Sequence, residues 1–368
     1  MDKYKIAQSE FADASEAAKH LKEQLSGVDT ALVLYFASTC YPAEAISKAM
    51  ADTFAGAQTV GCTTSGELFS GLIKQNTVVA MAFGKEVFKY LHVEILENIK
   101  EDCTEAIKHA FKAFKVSLGK SMTELDPAKY VGMVLIDGMS GSEEQVNDLL
   151  GNRTNVLFVG GSAGDDFKFK HTHLFVNGKT YTNAAVLVLM EPTDGFTILK
   201  TQSFVPSDKK LTPTKVDEKR RMVIEFNGKP ATKAYAEVLG ITTEELAKNL
   251  GQYPVGLVFD EENFFVRSPQ HIDGTSIAFY CAIKEGLELT VLSSGNIVEA
   301  TRVDLQKCGD ANALVDFCCC LRTLELKRKN QIADYAKVFA NIPAIGFSTY
   351  GESHIGHINQ TSTMLLLK

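Results

Sequence analysis

Residues 131–166 have the sequence VGMVLIDGMSGSEEQVNDLLGNRTNVLFVGGSAGDD, which predicts a β–α–β unit. Two apolar runs of strand length, 131–136 and 156–159, flank a segment with helical spacing. Both runs lead into loops of small and acidic residues, 137–142 and 160–166. Open α/β sheets place their ligands at the carboxyl ends of the strands, so these loops are candidate binding segments.

A third loop of the same kind, GCTTSGE at 61–67, follows the strand-like residues 58–60. Small side chains at such positions let a backbone approach a ligand closely. The C-terminal run GFSTYGE at 346–352 has a similar composition. We therefore expect one pocket among the first three loops, closed by the fourth.

The rest of the chain alternates between helical and strand patterns. Before 131 it predicts a helix over 9–25, a strand at 31–36, a helix over 42–54, a hairpin of strands 77–83 and 87–96, and a helix capped by Asp102 and Glu105. After 166, four short strands predict an antiparallel sheet: 173–176, 184–190, 197–204 and 209–216.

From residue 222 onward a second mixed segment begins. It predicts a strand, helices after Pro230 and Thr242, a helix over 324–339, and strands at 255–259, 264–267, 276–280, 287–292, 344–349 and 361–367. The fold class is therefore α/β (mixed α+β), with mixed sheets flanked by helices. A chain of this length favours two domains, which we place at 1–217 and 218–368.

Composition excludes several classes of function. The 368 residues are 45% hydrophobic and 23% charged, with a net charge of −7. An acidic chain without a Lys/Arg stripe lacks the electrostatic footprint of a nucleic-acid-binding protein. No segment approaches the roughly 20 apolar residues that span a bilayer, so we expect a cytoplasmic protein with no membrane partner.

The eight cysteines lack the paired spacing of a disulfide or zinc framework. Three of them, Cys318, Cys319 and Cys320, fall in an apolar run of strand length at 313–321. We predict reduced, buried thiols that pack as small hydrophobes, with metal binding or redox sensing as the alternative.

The four loops, in this order and followed by Asn359-Gln360-Thr361, resemble the FIST family of bacterial sensory proteins. The segments 260–267, 273–276 and 284–286 are similar to its second half. The resemblance implies an N-terminal and a C-terminal FIST domain and a non-enzymatic role in binding an amino acid or another small metabolite. It also implies a separate signalling partner, such as a histidine kinase, a cyclic-dinucleotide enzyme or a chemoreceptor.

Three segments are similar in particular to a haem-containing, nitric-oxide-sensing branch of that family: 201–206, 226–231 and 279–286. The resemblance requires no cofactor but makes haem an alternative. The axial imidazole would then come from His171 or His173, which alternation along a strand places on one face. His92, in an apolar strand, is equally consistent with a satisfied core histidine.

Loop N–H groups are expected to hold a ligand carboxylate, while Asp137, Asp165 or Glu352 holds its amine. Arg267 is an alternative anion clamp, or the partner in an ordinary salt bridge. For any one loop, the alternative is that its glycines only allow a tight turn after the strand and have no role in binding. The candidate ligand-binding residues are Cys62, Thr63, Thr64, Ser65, Gly66, Asp137, Gly138, Ser140, Gly161, Ser162, Ala163, Gly164, Asp165, Arg267, Tyr350 and Glu352.

Residues 160–164 also match G-x-S-x-G, the nucleophile elbow of serine hydrolases, with Ser162 as the nucleophile. An elbow serine opens a helix, whereas 165–170 alternates like a strand, and the two acidic residues beside it disfavour an oxyanion. Cys62 follows a strand too, but no histidine neighbours it in the sequence. The hydrolase is thus the alternative from a different class of function.

Overall fold

The computed structural model describes residues 2–259 and 264–368, which form nine α-helices and five sheets in a mixed α/β fold. Two compact units result. Unit 1 comprises Met1–Thr201, Thr301–His357 and Ser362–Lys368, and unit 2 comprises Gln202–Ala300 and Ile358–Thr361. These units are not the predicted domains 1–217 and 218–368, because the C-terminal strands belong to unit 1. The family-domain boundary itself stays a prediction.

The secondary-structure elements have the following bounds. The helices are α1 (Ala14–Gln24), α2 (Ala43–Thr53), α3 (Ile99–Leu118), α4 (Glu143–Gly151), α5 (Ala231–Leu239), α6 (Thr243–Asn249), α7 (Ile297–Lys307), α8 (Cys320–Arg328) and α9 (Ile332–Lys337). The strands are β1 (Tyr4–Ser9), β2 (Thr30–Ala37), β3 (Gln58–Thr63), β4 (Glu67–Phe69), β5 (Leu72–Lys74), β6 (Val78–Gly84), β7 (Phe88–Glu97), β8 (Val131–Ile136), β9 (Phe158–Ser162), β10 (Leu174–Val176), β11 (Lys179–Tyr181), β12 (Ala184–Pro192), β13 (Phe196–Thr201), β14 (Phe204–Leu211), β15 (Pro213–Asp217), β16 (Met222–Phe226), β17 (Lys229–Pro230), β18 (Val255–Val258), β19 (Phe264–Arg267), β20 (Pro269–Asp273), β21 (Ser276–Phe279), β22 (Leu289–Ser294), β23 (Ala313–Cys319), β24 (Ala344–Thr349), β25 (Glu352–His354), β26 (His357–Ile358) and β27 (Ser362–Leu367).

Unit 1 is built on three six-stranded mixed sheets. Their strand orders are β1-β6-β2-β3-β10-β11, β26-β25-β9-β8-β12-β7 and β13-β27-β23-β24-β4-β5. Each sheet contains one parallel pair: β2 with β3, β8 with β9, and β23 with β24. Helices connect the strands of each pair, as parallel pairing requires.

The three sheets share a central core. Apolar side chains from one face of each sheet meet there, including Phe36 of β2, Met133 of β8 and Phe317 of β23. The opposite face of the first sheet packs under α1 and α2, and that of the second under α3 and α4. Strands buried on both faces explain why these segments are continuous apolar runs.

Unit 2 contains two antiparallel sheets, ordered β14-β22-β18-β19 and β15-β16-β21-β20, with β17 paired to β16. Its core gathers Phe226, Tyr235 and Phe279 with residues of α6 and both sheets. Thr242 caps α6 in a capping box with Glu245, which confirms the predicted helix start after Thr242.

The β–α–β unit predicted from 131–166 is confirmed as β8, α4 and β9. Cys318, Cys319 and Cys320 are buried as predicted, at the end of β23 and the start of α8. No described helix has the length and apolar character needed to cross a membrane.

The predicted hairpin of 77–83 with 87–96 is wrong. The two strands exist, as β6 and β7, but β6 pairs with β1 and β2, whereas β7 pairs with β12 in another sheet. β6 lies between β1 and β2 and is fully buried, so it has no free edge with which β7 could pair.

The single antiparallel sheet predicted after 166 is also wrong. The strands form, and their pairs are antiparallel, but β10, β12 and β13 enter the three different sheets of unit 1, while β14 and β15 enter the two sheets of unit 2. Turn residues reveal where strands end, whereas their partners are set by contacts distant in sequence.

Two helix predictions need adjustment. The helix predicted over 9–25 begins at Ala14, because Asp13 caps it, and β1 precedes it as an edge strand. The helix predicted over 324–339 is instead α8 and α9, separated at Asn330, whose φ is +54°. Left-handed backbone of this kind ends a helix.

Candidate functional site

Four predicted loops come together in unit 1 at the carboxyl ends of β3, β8, β9 and β24. Gly164 N donates a hydrogen bond to Thr63 O (3.0 Å), and Ser65 N donates to Ser348 O (3.1 Å). The parallel pairs of the three sheets thus bring the carboxyl ends of their strands to one place. We call these residues the loop cluster: 61–67, 137–142, 160–166 and 346–352.

Glycine is required where one loop touches the next. A Cβ at Gly138 would lie 2.0 Å from the carbonyl oxygen of Ala163. One at Gly164 would lie 2.3 Å from Ser65 Oγ and 2.8 Å from Ser65 N. At these two positions glycine lets the backbones of two loops of the protein approach each other closely.

The carboxylate of Asp137 is buried and used internally. It accepts hydrogen bonds from Asn183 N (2.5 Å), Met139 N (3.0 Å) and the hydroxyl of Thr172. Asp137 therefore fixes its own loop to the chain leading into β10 and β12.

Glu67 is a second buried carboxyl group in the loop cluster. Its oxygens accept hydrogen bonds from Thr64 Oγ1 (2.5 Å), Thr77 Oγ1 (2.8 Å) and Thr77 N (3.3 Å). Burial raises the pKa of Glu67 to about 7, although these hydrogen bonds act in the opposite direction. The group thus changes its charge near neutral pH.

Most other predicted members of the loop cluster are buried within it. They are Cys62, Thr64, Ser65, Gly66, Ser140, Gly161, Ser162, Ala163 and Glu352. They form a wall whose groups face protein. Whether any of them contacts a ligand stays a prediction.

The chain that follows the loop 160–166, FKFKHTH at 167–173, is organised around Asp165; we call it the basic segment. The carboxylate of Asp165 accepts hydrogen bonds from the backbone N–H groups of Phe169 (2.8 Å), Lys170 (2.6 Å) and His171 (3.0 Å), and from the hydroxyl of Tyr350. Burial by itself would raise the pKa of Asp165, but these four donors outweigh it and hold the pKa below its usual value.

The basic segment has an unusual backbone. Phe167 and Phe169 have φ values of +61° and +50°, in the left-handed region that bulky residues rarely adopt. Tyr350 holds them in place: its ring stacks on Phe169 at a centroid distance of 4.8 Å and contacts Phe167 at 6.2 Å. Strain of this kind concentrates at ligand clamps and switch regions.

A cavity of about 290 Å³ lies beside the loop cluster. The predicted residues Thr63, Asp165, His171 and His173 line it. The sequence analysis did not select its other lining residues, which are Thr39, Tyr41, Ala43, Lys168 and Lys170. The available signals were the short connection between β2 and α2, again at a strand's carboxyl end, and the four basic residues among the six at 168–173.

His171 and His173 both line the cavity, while Thr172 between them is buried. They precede β10, which begins at Leu174, so the strand alternation expected to place them on one face stays a prediction. His171 is exposed and His173 is half-buried. His92 lies elsewhere, on β7, where its Nε2 is 2.6 Å from Glu94 Oε1 and its Nδ1 is 3.2 Å from Ser117 Oγ. His92 is therefore a satisfied sheet-face histidine.

Neither candidate nucleophile has the setting that catalysis needs. Ser162 is fully buried in β9, and its Oγ has no hydrogen-bond partner among the described residues. Burial raises the pKa of the Cys62 thiol well above its ordinary value. The strand expected at 165–170 is wrong, because Asp165 binds the backbone N–H groups that a strand would use, but no helix follows Ser162 either.

Two predicted features belong to unit 2. Arg267 lies at the end of β19, where its Nη1 donates to the carbonyl oxygen of Val266 (3.1 Å). Residues 260–263 of the motif 260–267 lie outside the described residues.

Comparison with known proteins identifies two domains. The family model described as FIST N domain matches residues 31–229, and the FIST C domain model matches residues 231–354. An uncharacterized protein of Methanocaldococcus jannaschii is 23% identical over 252 residues, which are 64% of this chain and 48% of that protein. The match thus spans about half the length of that curated relative.

Solved structures add no argument. T. maritima PurL complexed with AMPPCP and the same protein complexed with FGAR are both 10% identical to this chain, with a TM-score of 0.21. In each case the match covers 99% of this chain and 72% of the other. A likeness at this level carries no conclusion about fold or function.

Proposed function

Because the chain belongs to the FIST family, whose domains serve sensory signal transduction, we propose that it is a non-enzymatic sensor that binds a small ligand beside the loop cluster. The ligand enters the cavity lined by Thr63, Asp165 and the basic segment. The signal passes to a separate protein in the cytoplasm, such as a histidine kinase, a cyclic-dinucleotide enzyme or a chemoreceptor.

The observation that carries this proposal is the construction of the basic segment. Its polar side chains line a cavity, while its backbone is kept in a strained conformation by Asp165 and Tyr350. We infer that this segment can relax into a second, less strained arrangement. A ligand that prefers one arrangement shifts the balance between the two, which is what a sensor requires.

The test begins with a thermal-shift screen of amino acids, related carboxylates and phosphate compounds on the full chain. Any ligand that raises the melting temperature is then titrated into Ala43→Phe, which fills the cavity, and into Glu44→Phe, whose side chain is exposed at the next position of α2. We expect Ala43→Phe to abolish binding and Glu44→Phe to retain it. Equal binding by both variants, or no ligand from the screen, would overturn the proposal.

Haem is a second candidate ligand, favoured by the observation that both His171 and His173 line the cavity. The surroundings fit it poorly, because an axial imidazole belongs in an apolar pocket, and here the apolar lining is limited to Ala43 and the ring of Tyr41. Absorbance during haemin titration decides. A Soret band that shifts with nitric oxide and disappears in His171→Ala/His173→Ala, but persists in His92→Ala, would favour the gas sensor over a metabolite sensor.

A further inference from the structure

We infer that the cavity of the proposed sensor recognises a small oxyanion, a carboxylate or a phosphate, and that it does not recognise an amine on the ligand. This inference rests on the proposed function and concerns the same cavity. Its basis is the balance of hydrogen-bond donors and acceptors along the lining.

The lining is rich in donors. Four basic side chains contribute to it within six residues: Lys168, Lys170, His171 and His173. Among the described residues, no carboxylate lies within ion-pair distance of Lys170 Nζ, whereas Lys168 Nζ is 3.9 Å from Asp166 Oδ2. Within the part of the chain that the structure describes, Lys170 therefore brings to the cavity a cation that forms no ion pair.

The acceptors near the cavity are already used. Asp165, the one carboxylate among the lining residues, accepts four hydrogen bonds from its own neighbourhood. Asp166 accepts from Thr39 Oγ1 (2.5 Å) and is the ion-pair partner of Lys168. An ammonium group entering the cavity would lose hydration and meet cations, together with carboxylates that already accept hydrogen bonds. Its transfer from water into the cavity is therefore unfavourable.

A second part of the lining, the start of α2, adds the same sign of charge. Ala43, which lines the cavity, is the first residue of α2, and Pro42 before it provides no side-chain cap. The positive end of the helix dipole therefore faces the cavity. This helix end would not define a site alone, but it acts together with the basic segment.

The size of the cavity limits the ligand. About 290 Å³ is at the small end of ligand pockets, so a metabolite of a few carbons fits better than a nucleotide. Carboxylate and phosphate share the chemistry that the lining offers, and the experiment must distinguish them.

Isothermal titration of the full chain with glutarate, glutamate and inorganic phosphate tests the inference. Glutarate and glutamate differ by the amine alone. We expect glutarate or phosphate to bind, with glutamate no tighter than glutarate; binding of glutarate alone identifies a carboxylate site, and binding of phosphate alone identifies a phosphate site.

Two charge-matched variants complete the test. Lys170→Gln should weaken the affinity about tenfold, since a charge-assisted hydrogen bond is lost. Lys48→Gln, which removes an exposed lysine further along α2, should stay within about twofold of the wild type.

Three outcomes would overturn the inference. Binding of glutamate without binding of glutarate or phosphate would show that the amine is recognised. That outcome would overturn the inference but not the proposal that the protein is a sensor. A ligand from the screen whose binding is blocked by Ala43→Phe but unchanged by Lys170→Gln would show that the Lys170 cation does not recognise it; this too would overturn the inference while the sensor proposal stands. If no screened compound binds, the sensor proposal falls as well.

Discussion

The loop cluster and the basic segment adjoin in unit 1 but use their polar groups in opposite ways. In the loop cluster, buried backbone groups bind each other across loops, and glycine permits the contact. In the basic segment, the backbone is fixed by the Asp165 carboxylate, so lysine and histidine side chains are left to face a cavity. The comparison teaches that small-residue loops build the wall of the cavity, while the neighbouring basic residues place their side chains along it; in the proposed function, these side chains recognise the ligand.

The same comparison separates stability from binding. Changes in the loop cluster should act on the free energy of unfolding, because its side chains are mostly buried and its loops are joined by backbone hydrogen bonds. Changes to the exposed side chains of the basic segment should act on ligand affinity with little effect on stability.

The largest expected effect comes from closing the gap between two loops. Gly138→Ala places a Cβ 2.0 Å from a backbone oxygen, so we expect the free energy of unfolding to fall by about 3 kcal/mol. Gly151→Ala, at a position with open space around it, is the matched control and should be neutral or slightly stabilising. Urea denaturation measures both, and equal midpoints would show that the loops are not tightly packed.

A smaller effect concerns the protonation of Glu67. Its pKa is raised from 4.5 to about 7 in the folded protein, so the folded state holds the proton more tightly than the unfolded state. Stability therefore falls as pH rises from 4.5 through 7, by about 2 kcal/mol between pH 5 and pH 8.

Glu67→Gln imitates the protonated group and should remove this part of the pH dependence. The difference in unfolding free energy between variant and wild type should increase in favour of the variant as pH rises. Glu23→Gln, on an exposed face of α1, is the control and should follow the wild type. Parallel stability curves for Glu67→Gln and the wild type would mean that Glu67 is ionised in the fold throughout.

The smallest stability effect is expected where the two regions meet. Asp165→Ala removes the acceptor for the N–H groups of Phe169, Lys170 and His171, but these groups can reach water, so the loss should be about 1 kcal/mol. Hydrogen exchange of those three amides should accelerate, while that of Gly164, bound to Thr63 O, should not. Asp166→Ala should leave all four amides unchanged; acceleration spreading to Gly164 would show that the regions open as one.

Much of this arrangement follows from the sequence. The strand-like runs that became β3, β8, β9 and β24 predicted their strands, and the loops 61–67, 137–142, 160–166 and 346–352 lie at the ends of those strands as expected. Local pattern could not give the pairing of β6 and β7, because that is decided by neighbours far away in the chain.

The sequence predicted only some of the residues that line the cavity, and the reason is physical. Gly, Ser and Thr are favoured both where a backbone meets a ligand and where it meets another backbone, and sequence cannot tell these apart. Gly138 and Gly164 illustrate the second case. Lys170 was not selected, because a surface lysine is an ordinary residue in a sequence. Its place at the cavity depends on the backbone hydrogen bonds that the chain makes to the Asp165 carboxylate.

Hydrogen exchange with and without a ligand that stabilises the protein tests the central claim most directly. We predict that binding slows exchange in the basic segment, 167–173, and leaves the interior amides of Ser65, Ala163 and Gly164 at their already slow rates. Slowing confined to Ser65, Ala163 and Gly164, with no change over 167–173, would contradict the account and return recognition to the loop cluster.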